Sequence, residues 1–255
     1  MKRLQSILAP IVLGLILLGL WEAACRAFAV PTFILPPPSG VAVALKDNFG
    51  LLLSSARNTL VVAIIAWVIA SLVSGTVALA VSVNDLLEDS VRPLAVILQA
   101  TPVIAIAPLV NIWAGLDHPQ RGVIVLAAVV AFFPIFSGVL TGLKAADPDL
   151  ERLFDLYDAT RAQRLFRLRL PSALPHVLQG HKVAAGLALV GAVVAEFVAG
   201  SGGAQGLAWR ILEAEHRLQT ARMLAALVVL AVMAVALYGL LEAAEQIILR
   251  RWRGR

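Results

Sequence analysis

The histidines and the single cysteine of this 255-residue chain form no metal-binding or nucleophilic pattern. The four histidines fall in three separate regions, and His176 and His181 are five residues apart, which does not place them on one helical face. Cys25 has no partner in the chain, and the sequence contains no G-x-S-x-G motif and no P-loop. We therefore expect no catalytic residue, no metal and no cofactor on this chain.

Three polar residues instead fall within long apolar stretches: Gln99, Asn111 and Glu196. An acid at membrane depth is costly, so it marks either a functional position or a buried hydrogen bond to a neighbouring helix. The spacing around Glu196 places it on a small, packed helix face, which favours the structural interpretation. We keep all three residues as candidates for a translocation path. The small residues that share the face of Glu196 are Gly180, Ala184, Ala188, Ala192 and Gly200.

The composition is shifted toward apolar residues and away from charge. Hydrophobic residues make up 60% of the chain and charged residues 15%, with a mean hydropathy of +0.88. Soluble domains average about 45–50% and about 25%, respectively. A soluble core that hides so much apolar surface needs a protein larger than 27 kDa. The lone cysteine excludes a disulfide scaffold, and the lack of long polar tracts excludes a disordered chain. The apolar composition therefore indicates a protein that is embedded in lipid.

Six apolar stretches are long enough to cross a bilayer core about 30 Å thick. They predict an all-α polytopic membrane protein with a single transmembrane domain over residues 1–255. The first stretch resembles a secretory signal, but Glu22 and Arg26 fall where such a signal is normally neutral, so we expect a retained helix. The stretches cover residues 7–30, 58–84, 93–116, 122–143, 183–199 and 223–241.

The positive charges are distributed unequally between the predicted loops. With the amino terminus inside, fourteen of the 21 lysines and arginines fall on inside segments, and seven of those lie between Lys144 and Lys182. Because cytoplasmic loops carry the excess of lysine and arginine, both termini are predicted to be cytoplasmic. The net charge of +5 is then explained by topology and one basic loop, and no nucleic-acid partner is expected.

The long inside loop at residues 144–182 contains the most informative soluble segment. Asp147 and Pro148 predict the start of a helix, as an N-cap and a proline at the first helical position. Apolar and acidic residues then follow with helical spacing, which predicts an amphipathic helix of about three turns and a break at residues 159–160. Pro171 is expected to end the basic segment that follows and to turn the chain toward the membrane. The apolar face comprises Leu150, Leu153, Phe154 and Tyr157.

The residues alone leave the partner of this helix and the function of the chain open. Its apolar face suits the chain's own bundle, the lipid surface, a second copy or a cytoplasmic protein. A membrane-embedded enzyme in which Glu196 works with His181 or His216, and a scaffold with no transport role, are the alternatives to a transporter.

Three segments carry a resemblance to a known family. They are Arg-Leu-Pro-Ser-Ala-Leu-Pro at residues 169–175, the apolar run that ends Val-Val-Ala-Glu-Phe at residue 197, and the double-proline segment at residues 102–115. Together they resemble the membrane subunits of bacterial ABC importers, and most of all the nitrate, sulfonate and taurine branch, which includes pyrimidine-precursor permeases. The resemblance covers nearly the whole chain.

The resemblance implies a type I importer permease in the bacterial inner membrane that works as a homodimer. Its implied partners are two cytoplasmic ATPase subunits, which hold ATP and Mg²⁺, and an extracytoplasmic solute-binding protein. The implied mechanism is alternating access for a small solute, either a sulfonate-, taurine- or nitrate-like anion or a thiamine-pyrimidine precursor.

In that family the loop carries a Glu-Ala-Ala sequence followed by a Gly, and its helix lies in a groove of the ATPase. The Glu-Ala-Ala positions fall on residues 152–154 and the Gly position on Asp158, so both the leading Glu and the Gly are absent here. Glu151 stands next to the missing Glu. The residues implied in ATPase coupling are Leu150, Leu153, Phe154, Tyr157, Asp158, Ala159, Arg161, Leu170 and Pro171.

Overall fold

Helices account for nearly all of the chain in the computed structural model, which describes residues 2–115, 118–199 and 205–252 and their side chains except those of residues 2–7 and 85. No strand occurs in these ranges, which confirms the all-α class. A π-helical turn, Leu165–Arg169, joins the short helix Arg161–Arg164 to the long helix Leu170–Ala199. The helices are α1 Lys2–Ala27, α2 Pro38–Asp47, α3 Phe49–Val81, α4 Asp85–Ala100, α5 Val103–Ala114, α6 Pro119–Leu143, α7 Pro148–Leu156, α8 Arg161–Arg164, α9 Leu170–Ala199, α10 Leu207–His216 and α11 Thr220–Trp252.

Five helical segments in the described ranges are long and apolar enough to cross a membrane, and the bent pair α4–α5 raises the number to six. They are α1, α3, α6, the helix from Arg161 to Ala199, and α11. Each of the six predicted apolar stretches falls on one of these segments, and the multi-pass membrane architecture is confirmed.

The third predicted span is two short helices rather than one. Thr101 has an extended backbone, with φ −70° and ψ 126°, and α4 and α5 meet at 98°. The ring of Pro102 disfavours helical dihedrals at the residue before it, which explains the break. Pro108, by contrast, lies within α5.

The chain divides into two compact units. The first comprises residues 1–57 and 205–232, and within it Glu22 of α1 accepts hydrogen bonds from the backbone N–H and the hydroxyl of Ser39 in α2. The second comprises residues 58–204 and 233–255 and contains α6, α9 and the loop between them.

Helices α6 and α9 pack against each other through small residues. A Cβ atom on Gly180 would lie 2.7 Å from the carbonyl oxygen of Pro134 and 3.3 Å from Cα of Gly138. A Cβ atom on Gly142 would lie 2.9 Å from Cα of Ala173. Small residues allow membrane helices to approach this closely, and van der Waals contact between the backbones then stabilises the pair.

The same contact extends along both helices. A Cβ atom on Gly191, toward the other end of α9, would lie 2.9 Å from Cα of Ala127 in α6. The predicted small-residue face of α9 is confirmed, because its members up to residue 196 are buried. Gly200, the last member of the series, lies outside the described residues.

The helix stop predicted at Pro171 is wrong, because the helix continues through this residue. Residues 161–199 form one long helix whose α-helical hydrogen bonding is interrupted at Leu165–Arg169. In a regular α-helix the ring of Pro171 would collide with the carbonyl group of Arg167, four residues earlier. The wider π-helical turn directly before the proline moves that carbonyl group away, so the helix accommodates Pro171.

Replacing Gly180 with alanine is expected to lower the midpoint of thermal unfolding, because the new methyl group meets backbone atoms that cannot rotate away. Overpacking of this kind costs about 1–3 kcal/mol. The matched control is Gly186→Ala in the same helix, where a Cβ atom meets nothing within 4 Å. Equal unfolding midpoints for the two variants in detergent solution would contradict the close α6–α9 contact.

Candidate functional site

The amphipathic helix of the long loop forms where the sequence predicts it, as α7. The carboxylate of Asp147 accepts a hydrogen bond of 2.8 Å from the backbone N–H of Asp149, and Pro148 occupies the first helical position. The helix has nine residues, so it is slightly shorter than the predicted three turns. Local capping chemistry explains why its start could be predicted.

The break after α7 depends on a residue in the left-handed region. Asp158 has φ 46°, a conformation that L-residues other than Asp and Asn rarely adopt. This is the position at which the resembling family carries Gly, the residue that adopts this conformation without strain. Thr160 and Gln163 then form a reciprocal capping box that starts α8, which confirms the predicted break.

The acidic face of α7 is bound to the basic segment that follows it. Glu151 lies 2.7 Å from Nε of Arg169 and 3.3 Å from a terminal nitrogen of Arg164, and Arg164 also pairs with Asp155. The side chains of Glu151 and Arg164 are each about three-quarters buried. The charged side of α7 is therefore held inside the loop, and Glu151 is engaged within the chain.

The opposite, apolar face of α7 is uncovered. Leu156 is 82% exposed and Tyr157 is 79% exposed, while Leu150 and Leu153 are each more than 40% exposed. Phe154 is half-buried. An exposed apolar patch with a charged rim marks an interaction surface. We call Leu150, Leu153, Phe154, Leu156 and Tyr157 the α7 apolar face.

Leu156 was not among the predicted residues, although it is the most exposed of this face. The signal was present, because Leu156 follows Leu153 by three residues and such pairs are neighbours on a helix.

The remaining predicted coupling residues lie at the junction of the loop and α9. Ala159 lies in the break, Arg161 begins α8, and Leu170 packs partly buried against the core of the second unit. Pro171 is in the first turn of α9. The structure thus places all of them on one continuous segment that leads from α7 into α9.

The base of the loop is fastened by an ion pair that no sequence pattern predicts, between a buried carboxylate and an exposed lysine. Glu88 in α4 is 2% exposed, and Nζ of Lys144, at the end of α6, donates a hydrogen bond of 2.8 Å to it. Arg92 lies 3.9 Å from the same carboxylate. The available signal was the acidic character of residues 84–92 in a segment predicted to lie inside.

Two of the three candidate path residues lie on helices that pack against each other. Glu196 of α9 is 2% exposed and accepts a hydrogen bond of 2.9 Å from the hydroxyl of Thr59 in α3. Asn111 of α5 lies against Gly122 of α6, with its amide oxygen buried and without a hydrogen-bond donor among the described residues. Gln99 is exposed on α4, beyond the 98° bend.

The structure does not bring Glu196 and His181 together for acid–base work. They are fifteen residues apart on one helix, about 22 Å along its axis. His181 donates from Nδ1 to the carbonyl of Val177, and its own carbonyl accepts a hydrogen bond from Trp67. Among the described residues no group of three or more His, Cys, Asp or Glu side chains is placed to hold a metal.

A second charged cluster lies in the first unit, around Glu213 of α10. Arg210 donates a hydrogen bond of 2.9 Å to Glu213, and Arg217 and Arg222 lie 3.1 Å and 3.5 Å from it. Arg210 also donates to the hydroxyl of Ser55 in α3. The hydrogen bond from Arg210, supported by the neighbouring guanidinium charges, lowers the pKa of Glu213 below its usual value.

Asp158→Gly is expected to leave the loop intact or to stabilise it slightly, whereas Asp158→Val is expected to destabilise it by about 1–2 kcal/mol, because a β-branched residue is strained at positive φ. The measurement is hydrogen exchange of the amides of residues 159–164. Faster exchange in the valine variant alone is the expected result. Equal exchange in both variants would contradict the left-handed conformation.

Glu213→Gln is expected to lower the unfolding midpoint at pH 7 and to have less effect in acid. A carboxylate with a lowered folded-state pKa stabilises the protein above its unfolded pKa, and this contribution is lost as the pH falls through the folded value, which here lies below about 4.5. Glu215→Gln, an exposed neighbour on α10, is the control. If the difference in unfolding midpoint between wild type and Glu213→Gln is as large at pH 3 as at pH 7, the arginine cluster is contradicted.

Comparison with known proteins agrees with this architecture. Residues 69–254 match the family described as binding-protein-dependent transport system inner membrane component. The chain is 31% identical to the formylaminopyrimidine transport permease protein ThiX of Halalkalibacterium halodurans, over 80% of each chain. It is 24% identical to the putative aliphatic sulfonates transport permease protein SsuC of Bacillus subtilis, over 87% of this chain and 79% of that one.

The fold is also similar to a solved structure. A crystal structure of an amino acid ABC transporter with histidines superposes with a TM-score of 0.66, at 14% identity, over 82% of this chain and 97% of that one. The proteins in this family are transport permeases rather than enzymes, and its members work with ATPase and solute-binding partners. The resemblance carried by the three sequence segments is confirmed: the chain belongs to the binding-protein-dependent transport system inner membrane component family, as a type I ABC importer permease.

Proposed function

We propose that this chain is the membrane subunit of an ATP-driven importer for a small solute and that it works by alternating access. The observation that carries the proposal is the α7 apolar face, which is exposed while the acidic side of the same helix is bound to arginines of its own loop. Because the helix is already held in place, binding a partner through its apolar side does not require the conformational entropy cost of ordering a flexible segment.

The partner is a cytoplasmic ABC ATPase, which binds ATP and Mg²⁺, and two copies of this chain pair with two ATPase subunits. Both chain termini and the loop at residues 144–182 lie on the cytoplasmic side of the bacterial inner membrane, as the distribution of lysine and arginine indicates. An extracytoplasmic binding protein delivers the solute.

Movement of α7 is transmitted to the membrane through rigid contacts. Arg164 and Arg169, which hold Glu151, stand on the long helical segment that reaches Ala199 and includes the π-helical turn. The close contact of α9 with α6 at Gly138 and Gly180 then makes the two helices move together. ATP drives the change only if the closed ATPase pair binds α7 more tightly in its displaced position than in its resting position.

The solute is small, and its class follows from the relatives rather than from a site in this chain. One relative is named for a formylaminopyrimidine and another for aliphatic sulfonates. We therefore propose a thiamine-pyrimidine precursor or a sulfonate-, taurine- or nitrate-like anion. The candidate path residues Asn111 and Glu196 can contact the solute only if α5 and α9 separate during transport.

Leu153→Asp and Tyr157→Asp are each expected to reduce the amount of ABC ATPase that co-purifies with the tagged chain about ten-fold or more, because an unpaired charge is then buried in an apolar contact. The ATPase is co-expressed from the same genome, and both variants should still insert and elute as folded protein. Leu218→Asp, which adds the same charge at an exposed leucine in the first unit, is the control.

Undiminished ATPase binding by both α7 variants would contradict the docking proposal. A scaffold without a transport role would further predict that deleting the chain leaves solute uptake unchanged, whereas the importer predicts that uptake is lost.

A further inference from the structure

A cavity of about 980 Å³ lies between the end of α3 and the segment that follows α7. Three arginines line it, together with the polar residues Ser82 and Asn84 directly after α3 and with Leu143 at the end of α6. We call it the arginine cavity; its arginines are Arg161, Arg164 and Arg169.

The arginine cavity carries more positive charge than its ion pairs neutralise. Arg164 and Arg169 bind Glu151 and Asp155. The side chain of Arg161 forms no ion pair or hydrogen bond with any residue that the structure describes. One guanidinium group is therefore available to an anion from outside the chain.

The depth of the cavity in the membrane follows from the helices that frame it. The apolar helices α3 and α6 end at Val81 and Leu143, so the wall formed by Ser82 and Asn84 begins where two spans end. The helix from Arg161 to Ala199 is about 58 Å long, nearly twice the bilayer core, so its arginine-rich start lies outside the hydrocarbon. The cavity thus begins where two spans end and extends outside the hydrocarbon, where lipid headgroups and free phosphate compounds can both reach it.

We propose that the arginine cavity binds a phosphate group, either that of an anionic phospholipid or that of a free phosphate compound. A guanidinium matches two phosphate oxygens at once, and basic pockets between membrane helices on the cytoplasmic side bind anionic headgroups. The lining is polar and contains serine and asparagine, which complement phosphate oxygens. Phe166 and Leu165 in the same wall suit the glycerol and acyl carbons of a lipid.

Occupation of the cavity has a consequence for the loop. A phosphate group held by Arg161 and by the residues after α3 joins the segment after α7 to a second span. This segment leads into α9, which already packs against α6. The importance of this for transport rests on the proposed function, whereas phosphate binding does not and is measured on the isolated chain without an ATPase.

The test is a titration of the purified full-length chain in phosphatidylcholine–detergent micelles with phosphatidylglycerol, followed by the rise of the unfolding midpoint. A parallel titration uses inorganic phosphate. Arg161→Gln is expected to weaken the apparent affinity for the phosphate group about five-fold. This is the loss that follows when one of the cations that contact an anionic headgroup is removed. Arg167→Gln, on the same segment but not in the lining, is the matched control and should retain wild-type affinity.

Ala162→Leu provides a test without a change of charge, since it fills part of the cavity at an exposed position that tolerates substitution. The apparent affinity of this variant for the phosphate group should also be lower than that of the wild type, as it is for Arg161→Gln. A response to phosphatidylglycerol alone identifies the lipid as the source of the phosphate, and a response to inorganic phosphate identifies a free phosphate compound. Equal losses in Arg167→Gln and Arg161→Gln, or no dependence on Arg161 and Ala162 with either probe, would overturn the proposal.

Discussion

The contact between the backbones of α6 and α9 is the constraint on which the rest of the second unit depends. It runs from Ala127 opposite Gly191, past Gly138 opposite Gly180, to Gly142 opposite Ala173. Lipid tails are as apolar as leucine, so helices in a membrane gain little from burying large side chains and associate by close packing of small ones.

The contact also determines where the long loop stands. The loop leaves α6 after Leu143, next to Gly142, and returns at Leu170, in the same turn of α9 as Ala173, so both of its ends are fixed by the same helix pair. Arg164 and Arg169 then bind the acidic side of α7 to the start of this rigid pair. What remains uncovered is the α7 apolar face, while ion pairs join the acidic side of α7 to the helical segment that packs against α6.

Features that depend on neighbouring residues in the sequence could be predicted, and features that depend on distant ones could not. The start of α7 follows from Asp147 and Pro148, and the packed face of α9 follows from its four-residue spacing. The pairing of Glu88 with Lys144 joins residues 56 positions apart, and no local pattern specifies it. Pro171 shows a different limit, because whether a proline ends a helix depends on the hydrogen bonding of the turn before it, and here that turn is π-helical.

The central claim is that the α7 apolar face binds the ATPase, and site-directed cross-linking tests it most directly. The one cysteine of the chain, Cys25, is buried and can be replaced, so Leu156→Cys introduces a single reactive thiol at the most exposed residue of the face. We expect a cross-linked product with the co-expressed ABC ATPase from Leu156→Cys and none from Leu218→Cys in the first unit. Absence of the product from Leu156→Cys, or an equal yield from both variants, would contradict the account.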